Sequence, residues 1–256
     1  MKMKFRQRWH CGLSAIALTA LCLLFVSPVL SAAPDSGPAT ELNADVISFS
    51  ARTGVITAQG GLRMTQGATV ITGEAGEYNT KTKAAVITGN VKVVKESATL
   101  TASEVQTFDE MTRFVATGSA VLTHPSGSAA GPRMEYTPSR QYASVTGGAR
   151  LVNRDAVLTA SSVEVFFSED RATADGNVHI VSEARKLDAV SDHAVYQGLN
   201  GKNGRADLTG NVRAVQDGAV LTGNHVILYM DDSAMDSQGR SKLVMQPKAK
   251  SEKDKP

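Results

Sequence analysis

Cysteine is absent from most of this sequence, and aromatic side chains are scarce throughout. The two cysteines, Cys11 and Cys22, and the single tryptophan, Trp9, all lie near the N-terminus. A chain that begins after residue 33 therefore has no thiol, which excludes disulfide bonds, thiolate metal sites and cysteine nucleophiles. Phe, Trp and Tyr make up 5% of the 256 residues, so any core must be mainly aliphatic.

A strong charge of one sign is also missing. The formal net charge is +2, but residues 1–33 contain four basic residues and no acidic ones. Without that segment, 23 basic residues (27 minus 4) face 25 acidic ones, a net charge of −2. A body so near neutrality argues against a nucleic-acid-binding protein.

The N-terminus has the pattern of an export signal. A basic stretch at 1–10 precedes an apolar run from Cys11 to Val26, and Ser31-Ala32-Ala33 follows. This order predicts a cleavable secretory signal over 1–33, and the apolar run is shorter than the roughly 20 residues that span a membrane. An uncleaved signal anchor is the alternative. Residues 34–40 are predicted to be a short linker.

Glycines recur at a nearly fixed spacing after residue 40. The steps between them are 29 residues, with one step of 34. They lie at Gly60, Gly89, Gly118, Gly147, Gly176, Gly210 and Gly239. Residues two and four positions to either side of each glycine are apolar in 26 of 28 cases, and the intervening positions are mostly polar. Alternation with period two predicts a β-strand around each glycine, with one dry face and one wet face. We expect the glycine to lie on the dry face, where another backbone or a ligand approaches closely.

A second strand is predicted within each unit, as in Leu158 to Val165 and Leu221 to Leu228. Its apolar or small residues recur at steps of two, three and two, and the odd step predicts a β-bulge or a sheet corner. Two strands and two turns fill 29 residues and leave no room for a helix. The sequence therefore predicts an all-β fold over 41–245, an elongated antiparallel β-jellyroll or sandwich of about seven two-stranded repeats.

A parallel β-helix is the structural alternative, and short polar linkers favour the antiparallel form. The longer step is assigned to a surface loop, Gly198 to Gly204, and residues 246–256 to a charged, disordered tail. The dry face is rich in Ala and Gly, which predicts either an open groove between the two sheets or sheets that simply lie closer together.

The repeated motifs resemble those of a known family. Thr88-Gly89-Asn90-Val91-Lys92-Val93, Asp175 to Ile180 and Thr209 to Ala214 share one pattern, and Leu158-Thr159-Ala160 begins another. The pattern is similar to that of the OstA-like (LptA) periplasmic lipopolysaccharide-transport family. This resemblance implies a β-jellyroll in the periplasm whose inner face holds the acyl chains of lipopolysaccharide. It also implies contacts with inner- and outer-membrane transport components through edge strands, and head-to-tail assembly of the chain itself.

The expected lipid-binding residues are the larger apolar residues of the dry face. They are Ile56, Leu62, Ile87, Val91, Val93, Phe114, Leu122, Val145, Leu151, Val178, Ile180, Leu208 and Val212. No nucleotide-binding, serine-hydrolase or zinc-protease motif is found, so we expect no catalytic residue, no metal and no cofactor. Two alternatives to the transport bridge stay open: a membrane-anchored adaptor of the same fold (LptC-like) and an extracellular structural β-solenoid.

Overall fold

The structure, a computed structural model, describes residues 38–153, 156–200 and 204–245. The predicted signal (1–33), most of the predicted linker and the predicted tail (246–256) lie outside the described residues. Within the described ranges there is no helix with the length and apolar character needed to cross a membrane.

Fifteen β-strands make up nearly all of the described chain. Their bounds are β1 Thr40–Asn43, β2 Val46–Ser50, β3 Val55–Gln66, β4 Thr69–Asn79, β5 Ala84–Lys95, β6 Ala98–Phe108, β7 Arg113–His124, β8 Gly127–Thr137, β9 Tyr142–Val152, β10 Val157–Phe166, β11 Arg171–Ser182, β12 Leu187–Gln197, β13 Arg205–Gln216, β14 Ala219–Tyr229 and β15 Ala234–Met245. Two single-turn 3-10 helices, Pro138–Arg140 and Phe167–Glu169, lie in the connections after β8 and β10.

Each strand from β3 to β15 pairs with the next strand along the chain, and every pair is antiparallel. At the N-terminal edge β1 and β2 share one neighbour, because β1 pairs with the second half of β3 and β2 with the first half. The predicted all-β antiparallel fold is confirmed. A parallel β-helix would need parallel pairs, and the described strands form none.

Every long hairpin has a corner at its middle, where the register shifts. In the β5–β6 pair the shift falls between Thr88 and Val91 on β5 and between Ala102 and Glu104 on β6. Gly89 and Asn90 lie at this corner with φ values of 80° and 46°. Two successive left-handed residues turn the strand sharply, and Gly and Asn adopt that backbone at the lowest steric cost.

The glycine repeat is therefore explained by backbone geometry, and the expectation that glycine lies on the dry face is wrong. A Cβ at Gly89 would meet the side chain of Glu74, which is exposed on the neighbouring strand, so the corner is on the outer surface. Polar contacts span several corners: Asn90 Nδ2 donates to Glu74 Oε1 at 2.7 Å, and Asn211 Nδ2 donates to an Asp192 carboxylate oxygen at 2.8 Å.

Because of the corner, both halves of a strand turn their apolar side chains inward. In β5, Ala85 and Ile87 precede the corner and Val91 and Val93 follow it, and all four are buried. The inward residues of β3 to β14 form one continuous apolar cluster. The alternating pattern of the sequence thus reports the inside and outside of a folded sheet.

The loop predicted for Gly198 to Gly204 is only partly a surface loop. Leu199 is 3% exposed and belongs to the apolar cluster. The Gly198 amide donates to the Asp170 carbonyl at 3.0 Å, which holds the start of the loop against the preceding turn. Leu199 is a single apolar residue among polar neighbours and belongs to no alternating pattern, so its burial could not be predicted from the sequence.

Candidate functional site

The inner surface of the folded sheet brings together the residues expected to bind lipid. Twelve of the thirteen are buried, with exposures of 0% to 7%, and Ile56 is partly buried against the same cluster. The twelve are Leu62, Ile87, Val91, Val93, Phe114, Leu122, Val145, Leu151, Val178, Ile180, Leu208 and Val212. The structure thus places all thirteen on one apolar inner surface, and their contact with lipid stays a prediction.

The middle of this surface is closed by its own side chains. A Cβ at Gly76 would lie 2.8 Å from Leu62 Cδ1, and a Cβ at Gly131 would overlap Val145 Cγ1. A cavity beside Leu151 and Tyr196 measures about 10 Å³, room for about one water molecule. Small residues on the inside of the corner therefore let the two halves lie close together. In the middle of the sheet this favours closely packed sheets over an open groove.

The inner surface is uncovered at its N-terminal end. Ile47 pairs with Ala58 and Phe49 pairs with Ile56, so both side chains continue the inner face of β3. They are 47% and 62% exposed, because none of the described strands covers them. An apolar ledge that continues the interior of the protein is thus open to solvent at this edge.

The C-terminal end contains a cavity of about 770 Å³, within the range of small-molecule sites. Its apolar wall comes from β14 and β15 and includes Leu221, Met235 and Leu243. Leu243 is 57% exposed. Ser237 and Ser241, the two polar exceptions at inward positions, also line the cavity, and their hydroxyls are 2.8 Å apart.

Two basic side chains from the β11–β12 turn lie at the rim of the same cavity. Lys186 Nζ is 3.2 Å from the Asp217 carboxylate, and Arg185 Nε donates to the Met230 carbonyl oxygen. Arg185 also lies 4.0 Å from Asp231. Asp217 and Asp236 line the cavity as well, so its rim carries both signs of charge beside an apolar wall. Such a site suits an amphiphile with an apolar tail and a polar head.

Titratable groups within the sheet are few and do not form a reactive cluster. Burial raises the pKa of Tyr136, with a further contribution from Glu96, and burial lowers the pKa of His124. Across the described part of the chain, no three His, Cys, Asp or Glu side chains are close enough together to hold a metal ion. What these described residues offer is therefore apolar surface with a charged rim.

The end cavity was missed in the sequence, although a signal for it was present. Ser237 and Ser241 occupy positions that are apolar in the other units. The interruption of the apolar pattern falls in β15, the last strand that the structure describes, where polar side chains meet solvent at little cost.

Residues 70–171 match the sequence model of a family described as LptA/(LptD N-terminal domain) LPS transport protein, where LPS is lipopolysaccharide. No curated protein matches the chain. A solved structure of LptH from Pseudomonas aeruginosa, the LptA-homologous periplasmic component of its lipopolysaccharide transport device, is 11% identical and matches 82% of this chain and 96% of its own, with a TM-score of 0.16. The resemblance of the repeats to the LptA-like family is confirmed by the family match over residues 70–171.

Proposed function

We propose that this chain is a periplasmic transport protein that binds lipopolysaccharide by its acyl chains along the apolar inner surface. The observation that carries the proposal is the continuous apolar cluster from β3 to β14, which opens into an apolar ledge at one end and a cavity at the other. The family match to lipopolysaccharide transport proteins supports the same class of ligand.

Burial of hydrocarbon supplies the binding energy in this proposal. Each buried methylene contributes about 0.8 kcal/mol, so a long acyl chain gains on the order of 10 kcal/mol before ordering costs. The end cavity can accept an acyl segment without rearrangement, because Leu221, Met235 and Leu243 already face open space. Passage through the closed middle requires the two halves of the sheet to separate at their corners, with lipid replacing the contacts between side chains.

Partner proteins are proposed to add to the two open edges. Among the strands that the structure describes, β15 pairs with β14 alone and β2 with β3 alone. An unpaired strand edge offers backbone N–H and C=O groups to another chain, so inner- and outer-membrane transport components, or a second copy, could continue the sheet. Head-to-tail addition would also join the inner surfaces of successive copies into one path.

Site-specific photo-cross-linking tests the binding of lipopolysaccharide. A benzoylphenylalanine at Leu243, which faces the cavity, is expected to form a lipopolysaccharide adduct in living cells, and one at Ile47 is expected to do the same at the other end. The controls are Val244 and Val46, the exposed neighbours on the opposite face of the same strands. Adducts at all four positions in equal amounts, or at none, would contradict binding on the inner face.

Sequencing of the mature N-terminus tests the proposed location. A periplasmic protein released by signal cleavage should begin at or near Pro34. A retained Met1 would instead support the anchored adaptor.

A further inference from the structure

A row of basic side chains crosses the outer surface on one half of the sheet. This half lies after the corner in the odd-numbered strands and before it in the even-numbered strands. The third residue after the repeat glycine is basic in five of seven strands, histidine in one and valine in one. These positions are Arg63, Lys92, Val121, Arg150, His179, Arg213 and Lys242. The five Arg and Lys residues are exposed, whereas the residues just before and after each of them point inward.

The register of the strands places these residues in one continuous line. Arg63 is opposite Thr72, Thr72 opposite Lys92 and Lys92 opposite Thr101, and the line continues strand by strand to Lys242. The residues on the intervening strands are Thr72, Thr101, Ala130, Thr159, Val190 and Thr222. With strands about 4.8 Å apart, the seven positions are about 10 Å apart and the row extends about 58 Å. Because Val121 and His179 occupy two of the seven, the intervals from Lys92 to Arg150 and from Arg150 to Arg213 are about 19 Å. We call these thirteen positions the basic row.

No carboxylate neutralises most of this row. None of its thirteen members is acidic, and among the described residues its five Arg and Lys side chains form no ion pair. His179 alone has an acidic partner, Asp188, at 3.3 Å. Positive charge therefore accumulates along one line of a protein whose net charge is small.

The other half of the sheet carries both acidic residues and the arginines Arg113, Arg133, Arg171 and Arg205. This half lies before the corner in the odd-numbered strands and after it in the even-numbered strands. The acidic residues at its outward positions are Glu77, Glu104, Glu135, Glu164, Asp175, Asp207 and Asp236. Arg113 and Arg205 of this half pair with Glu135 and Asp207, whereas the Arg and Lys side chains of the basic row form no ion pair among the described residues. The basic row is therefore an electrostatic feature that the net charge of the chain conceals.

The shape and composition of the row favour binding of a flexible polymer over binding of a membrane or of single-stranded nucleic acid. Neighbouring strands of a sheet are rotated by about 20°, so a row that crosses thirteen strands winds around the sheet and cannot lie flat on a membrane. No Phe, Tyr or Trp is present in the row, so it lacks the stacking surfaces of single-strand nucleic-acid sites. Threonine occupies four of the six intervening positions, and its hydroxyl can hydrogen-bond to sugar hydroxyls.

We propose that the basic row binds an extended anionic polysaccharide, with its Arg and Lys side chains contacting successive carboxylate, sulfate or phosphate groups. Arginine pairs with each of these groups through two parallel hydrogen bonds, and intervals of about 10 Å and about 19 Å let one flexible chain contact several cations. This site is on the outside of the sheet and is independent of the proposed lipid-binding interior.

Binding of a fluorescent heparin fragment at low salt tests the proposal. The variant R63Q/K92Q/R150Q/R213Q removes four cations of the row, and R52Q/K83Q/R133Q/R140Q removes four exposed cations elsewhere, so both have the same net charge. We expect the first variant to lose affinity at least about tenfold and the second less than about threefold, with a weaker salt dependence only in the first. If the first variant fails to fold, the pairs R63Q/K92Q and R150Q/R213Q should each give an intermediate loss.

Three results would overturn the proposal. The wild-type protein could fail to bind heparin, or the two four-site variants could lose equal affinity, which would mean that net charge alone is sensed. Row-dependent binding to phosphatidylglycerol vesicles without binding to heparin would assign the row to a membrane surface instead. Lipopolysaccharide cross-linking at Leu243 is unaffected by any of these results, so the two proposals can fail separately.

Discussion

The closed middle of the sheet and its open C-terminal end are built from the same repeat, yet they differ in what their inner residues do. Leu122 in β7 and Leu243 in β15 occupy the same position, four residues after the repeat glycine, and are 1% and 57% exposed. Strands lie on both sides of β7, whereas within residues 38–245, as far as they are described, β15 has β14 as its single neighbour. One position therefore serves as core in the middle and as accessible apolar surface at the end.

The same backbone conformation can therefore form an interior that is filled by its own side chains or one that a ligand can reach. The left-handed glycine is retained at both places, with φ of 77° at Gly118 and 87° at Gly239. What changes is the size and polarity of the inward residues and the number of neighbouring strands. An interior of this kind can be opened by removing or displacing one neighbour, which fits a protein that extends its sheet by adding partners.

The largest expected effect is on stability and separates the two regions directly. Leu122→Ala leaves a cavity in the closed middle and should lower the free energy of unfolding by about 2–5 kcal/mol. Leu243→Ala, its positional match, should cost less than about 1 kcal/mol because the side chain is already half in solvent. Urea denaturation followed by circular dichroism measures both, and equal losses would contradict the distinction between core and open end.

A smaller effect is expected at the corners. Gly89→Ala should cost about 2 kcal/mol, because a left-handed alanine is strained and its Cβ would collide with the exposed Glu74 side chain. Gly239→Ala carries the same backbone strain but meets no atom within 4 Å, so it should cost about 1 kcal/mol. The same denaturation assay applies, and a larger cost at Gly239 would show that β15 is more constrained than its exposure suggests.

Much of this fold could be predicted from the sequence, because alternation and repetition are local signals. The strands around each glycine, the odd step on their partners and the antiparallel arrangement all follow from spacing and turn chemistry. The reason for the glycine could not be predicted, because a missing side chain looks the same whether it permits a positive φ or a close approach. The asparagine or glycine after it in five of the seven units was the available signal for a corner.

The state of the interior was the least predictable feature. A face rich in Ala and Gly is compatible with an open groove and with two close halves, and only the three-dimensional contacts of Gly73, Gly76 and Gly131 distinguish them. The end cavity depends on where the sheet stops, which composition does not report. Leu199 entered the core from a loop without periodicity.

Restoring the repeat pattern should make the open end resemble the middle. Ser237→Val with Ser241→Val adds apolar side chains at the inward positions of β15, which should stabilise the protein by about 1 kcal/mol. The same change should narrow the cavity and reduce co-purified lipopolysaccharide several-fold, as measured by mass spectrometry. Gln238→Val on the exposed face is the control, and unchanged lipid in the double variant would show that the cavity is not where lipid is held.

The smallest effect concerns pH at the edge of the closed region. His124 lies against Phe167 with ring centroids 4.4 Å apart, and burial lowers its pKa from 6.5. Burial in the folded state disfavours protonation of the His124 imidazole, so the free energy of unfolding is highest above about pH 6.5, where His124 is neutral in both states. It decreases as the pH falls through the lower pKa of the folded state. His124→Phe should reduce the loss of stability between about pH 7.5 and about pH 5.5. An unchanged pH profile in urea denaturation would exclude His124 as a contributor.

The central claim is that the inner face, and not the protein surface in general, holds the acyl chains of lipopolysaccharide. Its most direct measurement is the amount of lipopolysaccharide that co-purifies with Leu243→Asp and with Val244→Asp, two identical charge insertions at adjacent, exposed positions on opposite faces of β15. We predict that Leu243→Asp loses most of the bound lipid, because its carboxylate enters the apolar wall of the cavity, and that Val244→Asp retains it. Equal retention by two folded variants would contradict the claim.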